Sequence, residues 1–73
     1  MADIAYKIIE NILTLPEKGK FHKELNLVSW NDRDPVYDLR GWNKDRSEMT
    51  KGITLSKEEL IELKGGLQKW ELQ

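Results

Sequence analysis

At 73 residues, with a net charge of −1 and no cysteine, the chain has room for one domain, residues 1–73, and a domain this small buries only about 60% of the surface its unfolded chain exposes. Disulfides are excluded and the single histidine, His22, leaves no ordinary zinc site, so oligomerisation is the expected supplement and a homodimer the expected form. Met1 to Tyr6 lack the features of a signal peptide, and no apolar run approaches the roughly 20 residues that cross a bilayer, which points to a cytoplasmic protein without membrane association.

The first segment is ambiguous. Ile4, Ile8, Ile9, Ile12 and Leu13 follow a helical stripe, but their β-branched content and the Gly19 turn leading into another extended stretch favour a strand. Phe21 to Asn31 reads as a second strand; Leu25, Leu27, Val28 and Trp30 place apolar groups on both parities, which predicts a bulge or burial on two sides. Asp34 and Pro35 suit a turn, and Val36 to Trp42 then alternates, with Val36, Asp38, Arg40 and Trp42 on one face and Tyr37 and Leu39 on the other. Asn43 to Thr50 is polar, as a loop should be. Ile53 and Leu55 mark a short fourth strand.

Ser56 followed by Glu59 is a capping-box signature that opens a helix. Leu60, Leu63, Leu67 and Trp70 recur at spacings of three, four and three and form one apolar stripe, which is the expected dimer contact. Gly65 and Gly66 inside it mark either a weak spot or the close approach of a partner helix. The fold class is therefore α+β: a four-stranded antiparallel sheet followed by one C-terminal helix.

Charge is uneven along this frame. Residues 1–17 sum to −2, residues 18–55 to +2 and residues 56–73 to −1, so the positive surplus lies on the middle strands, although it is too small to identify a ligand alone. No acid, base and nucleophile converge in the sequence, so no catalytic residue and no cofactor are expected. His22 reads as structural or solvated, and Asp32, Asp34 and Asp38 match no calcium-loop spacing, leaving turn chemistry as the better account and no metal site.

Aromatic residues beside basic ones carry more information. Trp42 shares a strand face with Arg40, Phe21 shares one with Lys23, and Trp30 adjoins Asn31 and Arg33. Proteins that hold single strands use this mixture, because unstacked bases lie on aromatic rings while Lys and Arg follow the phosphates. A small domain more often buries its tryptophans. Trp42 escapes that rule because Asp38 and Arg40 do not belong against a helix, Trp70 should be buried or at the dimer contact, and Trp30 stays open between core and surface.

Val28-Ser29-Trp30-Asn31, Tyr37-Asp38-Leu39-Arg40 and Lys51-Gly52-Ile53-Thr54-Leu55, followed by the serine-capped helix, resemble the family of the transcriptional coactivator positive cofactor four, and within it the small bacterial YdbC-type branch. The resemblance covers residues 21–67. It implies a β-β-β-β-α homodimer joined largely through its helices, binding single-stranded DNA with little sequence preference across the sheets. Carried over by position, Arg40 and Lys51 resemble backbone-contacting basic residues, and Trp42 falls where an aromatic follows the arginine strand. Asn31 departs from the basic residue of eukaryotic members.

The expectation is then a homodimer that holds single-stranded DNA, with RNA as a second ligand, on the open sheet face. Phe21, Trp30 and Trp42 would stack bases, and Lys18, Lys20, Lys23, Arg33, Arg40 and Lys51 would meet phosphates. The rival readings are an adaptor that docks a peptide or transcription component on the same face, an enzyme subunit, and a duplex DNA binder. No small-molecule substrate is expected.

Overall fold

A computed structural model describes residues 5–71; Ile4, part of the apolar pattern of the first segment, lies outside them. Four strands, β1 (Tyr6–Lys18), β2 (Phe21–Trp30), β3 (Val36–Trp42) and β4 (Ile53–Leu55), are followed by one helix, α1 (Lys57–Lys69). The strands form one antiparallel sheet in the order β1-β2-β3-β4. This is the expected sheet and helix. No helix among the described residues is long and apolar enough to cross a membrane.

The helical look of the first segment has a physical origin. β1 is an edge strand whose pairing with β2 slips between Ile8 and Glu10, between Asn11 and Leu13, and between Thr14 and Glu17. Each irregularity inserts extra residues, so Ile8, Asn11, Thr14 and Glu17, opposite Val28, Asn26, Glu24 and His22, share one face at a spacing of three instead of two. Pro16 falls in the third irregularity, where a missing N–H costs no ladder bond. The β1–β2 hairpin closes at Gly19, whose φ of 69° is a left-handed conformation that only glycine adopts cheaply.

The β2–β3 register places His22 opposite Trp42, Glu24 opposite Arg40, Asn26 opposite Asp38 and Val28 opposite Val36. These residues make one face, called here the polar face. The other carries Phe21, Lys23, Leu25 and Leu27 beside Gly41, Leu39 and Tyr37, and continues onto Ile53 and Leu55 of β4; it is the helix face. At the β2–β3 turn, Asn31 and Asp32 adopt φ of 50° and 61°, conformations that short polar side chains tolerate. There Asn31 N–H donates to the Ala5 carbonyl at 2.7 Å and its Oδ1 accepts from Ala5 N–H at 3.1 Å.

α1 begins as its sequence dictates. Ser56 Oγ accepts from Glu59 N–H at 3.0 Å, and Glu59 Oε1 accepts from Ser56 N–H at 2.8 Å. The helix ends one residue short of the predicted stripe: Trp70 is its C-cap, extended and exposed. α1 packs on β3 and β4 and buries none of its own residues. A β-carbon on Gly65 or Gly66 would meet nothing within 4 Å, so neither glycine serves a contact inside this chain. Ile12, Leu13, Leu25, Leu60, Leu63 and Leu67 line an open apolar groove between the helix and the first two strands. Leu63 and Leu67 stay 46% and 55% exposed, so the groove leaves leucine side chains in water.

Candidate nucleic-acid interface

The closed end of the β1–β2 hairpin meets the loop between β3 and β4 on the helix face. Gly41 has no side chain there, and its backbone is tied to the loop: Gly41 N–H donates to Thr50 Oγ1 at 2.9 Å and Thr50 N–H donates to the Gly41 carbonyl at 3.0 Å. Two hollows that share Lys23, Gly41 and Thr50 run together over this floor. The first, about 260 Å³, adds Leu15, Pro16, Lys18 and Phe21. The second, about 370 Å³, adds Leu39, Arg40, Lys51, Gly52 and Ile53. Lys18, Lys23 and Lys51 are exposed, Phe21 is half-buried, and no carboxylate lines either hollow. Lys20 stands at the hairpin tip, its Nζ 2.7 Å from the Glu48 carboxylate and 5.6 Å from the centre of the Phe21 ring.

The polar face is built differently. Asp38 is fully buried and takes both Arg40 Nε (3.0 and 2.8 Å to its two oxygens) and Arg40 Nη2 (2.8 Å). The guanidinium so fixed lies 4.6 Å from the centre of the Trp30 ring, a cation–π arrangement. Gly52 sits beside it of necessity, since a β-carbon there would come within 2.6 Å of Arg40 Cβ and 2.7 Å of the Leu39 carbonyl.

Next to this pair, Glu24, 2% exposed, accepts from Arg46 Nη2 at 2.9 Å, Arg46 Nε at 3.3 Å and Asn26 Nδ2 at 3.1 Å, and pairs with His22 Nε2 at 2.6 Å. Burial alone would push the Glu24 carboxyl up, but the hydrogen bonds from Arg46, Asn26 and His22 together with the Arg46 charge hold it below the usual carboxylate range. Asn11 extends the network from β1, donating to Asn26 Oδ1 at 2.7 Å.

The nine residues expected to meet nucleic acid do not share a surface. Lys18, Phe21, Lys23 and Lys51 line the trough, with Lys20 at its rim. Arg40 also borders the second hollow, but its guanidinium is engaged by Asp38 on the polar face, to which Trp30 belongs. Arg33 is in the exposed β2–β3 turn. Trp42 corrects the expectation most sharply: it lies on the predicted face beside Asp38 and Arg40, yet it is fully buried and offers no ring to a base. Tyr6 packs on it at 5.3 Å between ring centres, and on Trp30 at 5.8 Å. The expected single face bearing Phe21, Trp30 and Trp42 is likewise replaced by two, because Lys23, not His22, pairs with Gly41.

The sequence pattern of the family described as Transcriptional Coactivator p15 (PC4) matches residues 19–66. The chain belongs to the PC4 family. An uncharacterized protein of Treponema pallidum (strain Nichols) is 38% identical over 71 residues, covering 96% of this chain and 84% of the relative. PC4 proteins are nucleic-acid binders, known for a coactivator role that rests on single-stranded DNA, and not enzymes. The matched span runs from the hairpin tip through β2, β3 and β4 into α1 and so contains Lys20, Phe21, Lys23 and Lys51, while all of β1, Lys18 included, lies outside it.

Sequence reasoning missed Tyr6, Asn11, Glu24, Asn26 and Arg46. The signal available was the run of alternate polar positions, His22, Glu24 and Asn26 on β2 against Asp38 and Arg40 on β3. Taken strand by strand such a run reads as a solvated face; here Asp38 pairs with Arg40 two residues along the same strand, and Glu24 finds its cation in Arg46 from the loop. Arg46 gave no signal at all, since it reaches Glu24 from a loop at φ 59°.

Proposed function

We propose that this PC4-family protein binds single-stranded DNA with little sequence preference as a transcription-coactivator-like homodimer, with the strand running along the hairpin-end trough. Lys18, Lys23 and Lys51 meet phosphates there, Lys20 and Arg33 add charge at the periphery, and Phe21 gives a base its ring. The half-exposed Trp30, backed by Arg40, offers a second stacking surface across the sheet. The observation that carries the reading is the carboxylate-free trough in a chain whose net charge is −1. A polyanion is repelled by most of such a surface and least by this part of it. Nothing in the trough is built to read base edges, which suits a strand held by stacking and phosphate contacts, DNA or RNA.

The homodimer is supported by the apolar groove, which one helix leaves open: Leu60, Leu63 and Leu67 from a second copy supply the cover that β1 and β2 lack. Trp70 extends the contact from the helix end.

Fluorescence anisotropy with a labelled oligo-dT tests the reading. Replacing Lys18, Lys23 and Lys51 by alanine should lower affinity at low salt and flatten its dependence on log salt by about 2, at about 0.7 for each single-strand phosphate that is no longer neutralised. Absence of binding by the natural chain, or a triple variant with unchanged salt dependence, overturns it.

A further inference from the structure

The loop Asn43–Thr50 is folded as a unit. Asn43 organises it: its N–H donates to the Glu48 carbonyl, its carbonyl accepts from Arg46 N–H, its Oδ1 accepts from Glu48 N–H and its Nδ2 donates to Ser47 Oγ, all between 2.9 and 3.2 Å. This unit is clasped to the polar face at Arg46. The guanidinium donates to the buried Glu24, and the Arg46 carbonyl accepts from Tyr6 O–H at 3.2 Å. Arg46 adopts φ 59°, a conformation rare for a long side chain, and holds it at the clasp itself.

Trp42 precedes the loop and is bridged through its backbone to Met49 within it; its side chain is fully buried, with Tyr6 against its ring. Its Nε1 is the one buried side-chain nitrogen or oxygen among the described residues that has no hydrogen-bond partner. Core tryptophans ordinarily satisfy that N–H. Trp42 therefore has the burial of a core residue without the hydrogen bond that core residues carry, and the Tyr6 ring packed on it is tied by its hydroxyl to Arg46 of the loop.

We infer that the Asn43–Thr50 loop is a strap over a hidden stacking site, and that a single-stranded nucleic acid binds more fully when the Arg46 clasp opens and Trp42 meets a base. The inference rests on the single-strand reading above. In the closed form Trp42 is withheld, and the protein binds through the trough and Trp30 alone. Opening gives the indole N–H an acceptor from the base, the phosphate or water. A closed strap reduces apparent affinity by the fraction of molecules that are open, so loosening it tightens binding.

That gives the test an unusual sign. Removing a cation that contacts phosphate weakens binding, whereas Arg46→Ala should tighten oligo-dT binding by about threefold or more. Tyr6→Phe, which loses only the hydroxyl bond to Arg46, should act in the same direction to a smaller extent and guards against damage from the unpaired Glu24. In protein labelled with 5-fluorotryptophan, the Trp42 fluorine signal, identified by elimination with Trp30→Phe and Trp70→Phe, should show no H₂O/D₂O shift when free and should move on saturation with oligo-dT. Weaker binding by both Arg46→Ala and Tyr6→Phe, or an unmoved Trp42 signal in the saturated complex, overturns the strap while leaving the single-strand reading intact. Failure of the natural chain to bind at all removes that reading itself.

Discussion

The two faces of one sheet solve opposite problems. The polar face buries charge: Glu24 and Asp38 are removed from water and matched to Arg46, His22 and Arg40. The helix face leaves apolar groups in water, with Leu63, Leu67 and Ile53 all about half exposed or more. A small domain would be expected to do the reverse. The difference shows where this fold is complete: a loop, Tyr6 and matched charges finish the polar face within one chain, while the helix, set over β3 and β4, finishes only part of its own side. The largest effects should follow from breaking the first arrangement, and the next from breaking the second.

Asp38→Ala breaks the polar face most severely. It strands the Arg40 guanidinium, only 17% exposed, without its counter-charge, and removing one partner of a buried pair costs about 3–5 kcal/mol. Urea denaturation should show that loss. A cost near that of a surface pair, below about 1 kcal/mol, would mean that water reaches the pair and that the contrast between the two faces is one of degree.

The second test acts on the helix face. In a homodimer joined through α1, Leu63→Ala removes methyl groups from the contact twice, once per copy, and a buried leucine contributes about 1.5–3 kcal/mol relative to exposure. Sedimentation at micromolar concentration should report a dimer for the natural chain and a shift toward monomer for the variant, with the monomer's fold, followed by circular dichroism, little changed. A natural chain that sediments as a monomer would leave the exposed leucines without this explanation.

How much of this is legible in the sequence depends on how local the determining interaction is. The helix start needs four residues, Ser56 to Glu59, and the bounds of β3 need only its own alternation, so both are readable. The residue types of the trough are readable as well, since Lys18, Phe21, Lys23 and Lys51 each carry a charge or a ring suited to a nucleic acid. Their placement is not. Alternation tells which residues of one strand share a face, but which parity of β2 joins which parity of β3 is decided by the pairing of Val28 with Val36, an event between strands. Trp42 reads as solvent-facing because Asp38 and Arg40 precede it on the same face. Those two cancel each other's charge across 2.8 Å, so the face they occupy can be covered. In β1 the irregular pairing disguises a strand with the spacing of a helix, and only the partner strand reveals which residues are extra.

The smallest expected effect is also the most specific to the polar face. Glu24 releases its proton more readily in the fold than in the unfolded chain, where its value is near the ordinary 4.5. Its ionised form therefore favours folding. That contribution is fully present above about pH 4.5 and is lost as the pH falls through the lower value of the folded state. Stability measured by urea between pH 7 and pH 3 should decline on the acid side, and Glu24→Gln, which cannot titrate, should flatten part of that decline while lowering stability at pH 7. Exposed carboxylates would contribute little to either change. If the Gln variant kept the full acid slope, the proton would be going elsewhere, and the clasp between Glu24 and Arg46 would be a contact of geometry without much ionic strength. The helix face supplies the internal control, since Leu63→Ala should shift the whole profile downward without altering its dependence on pH.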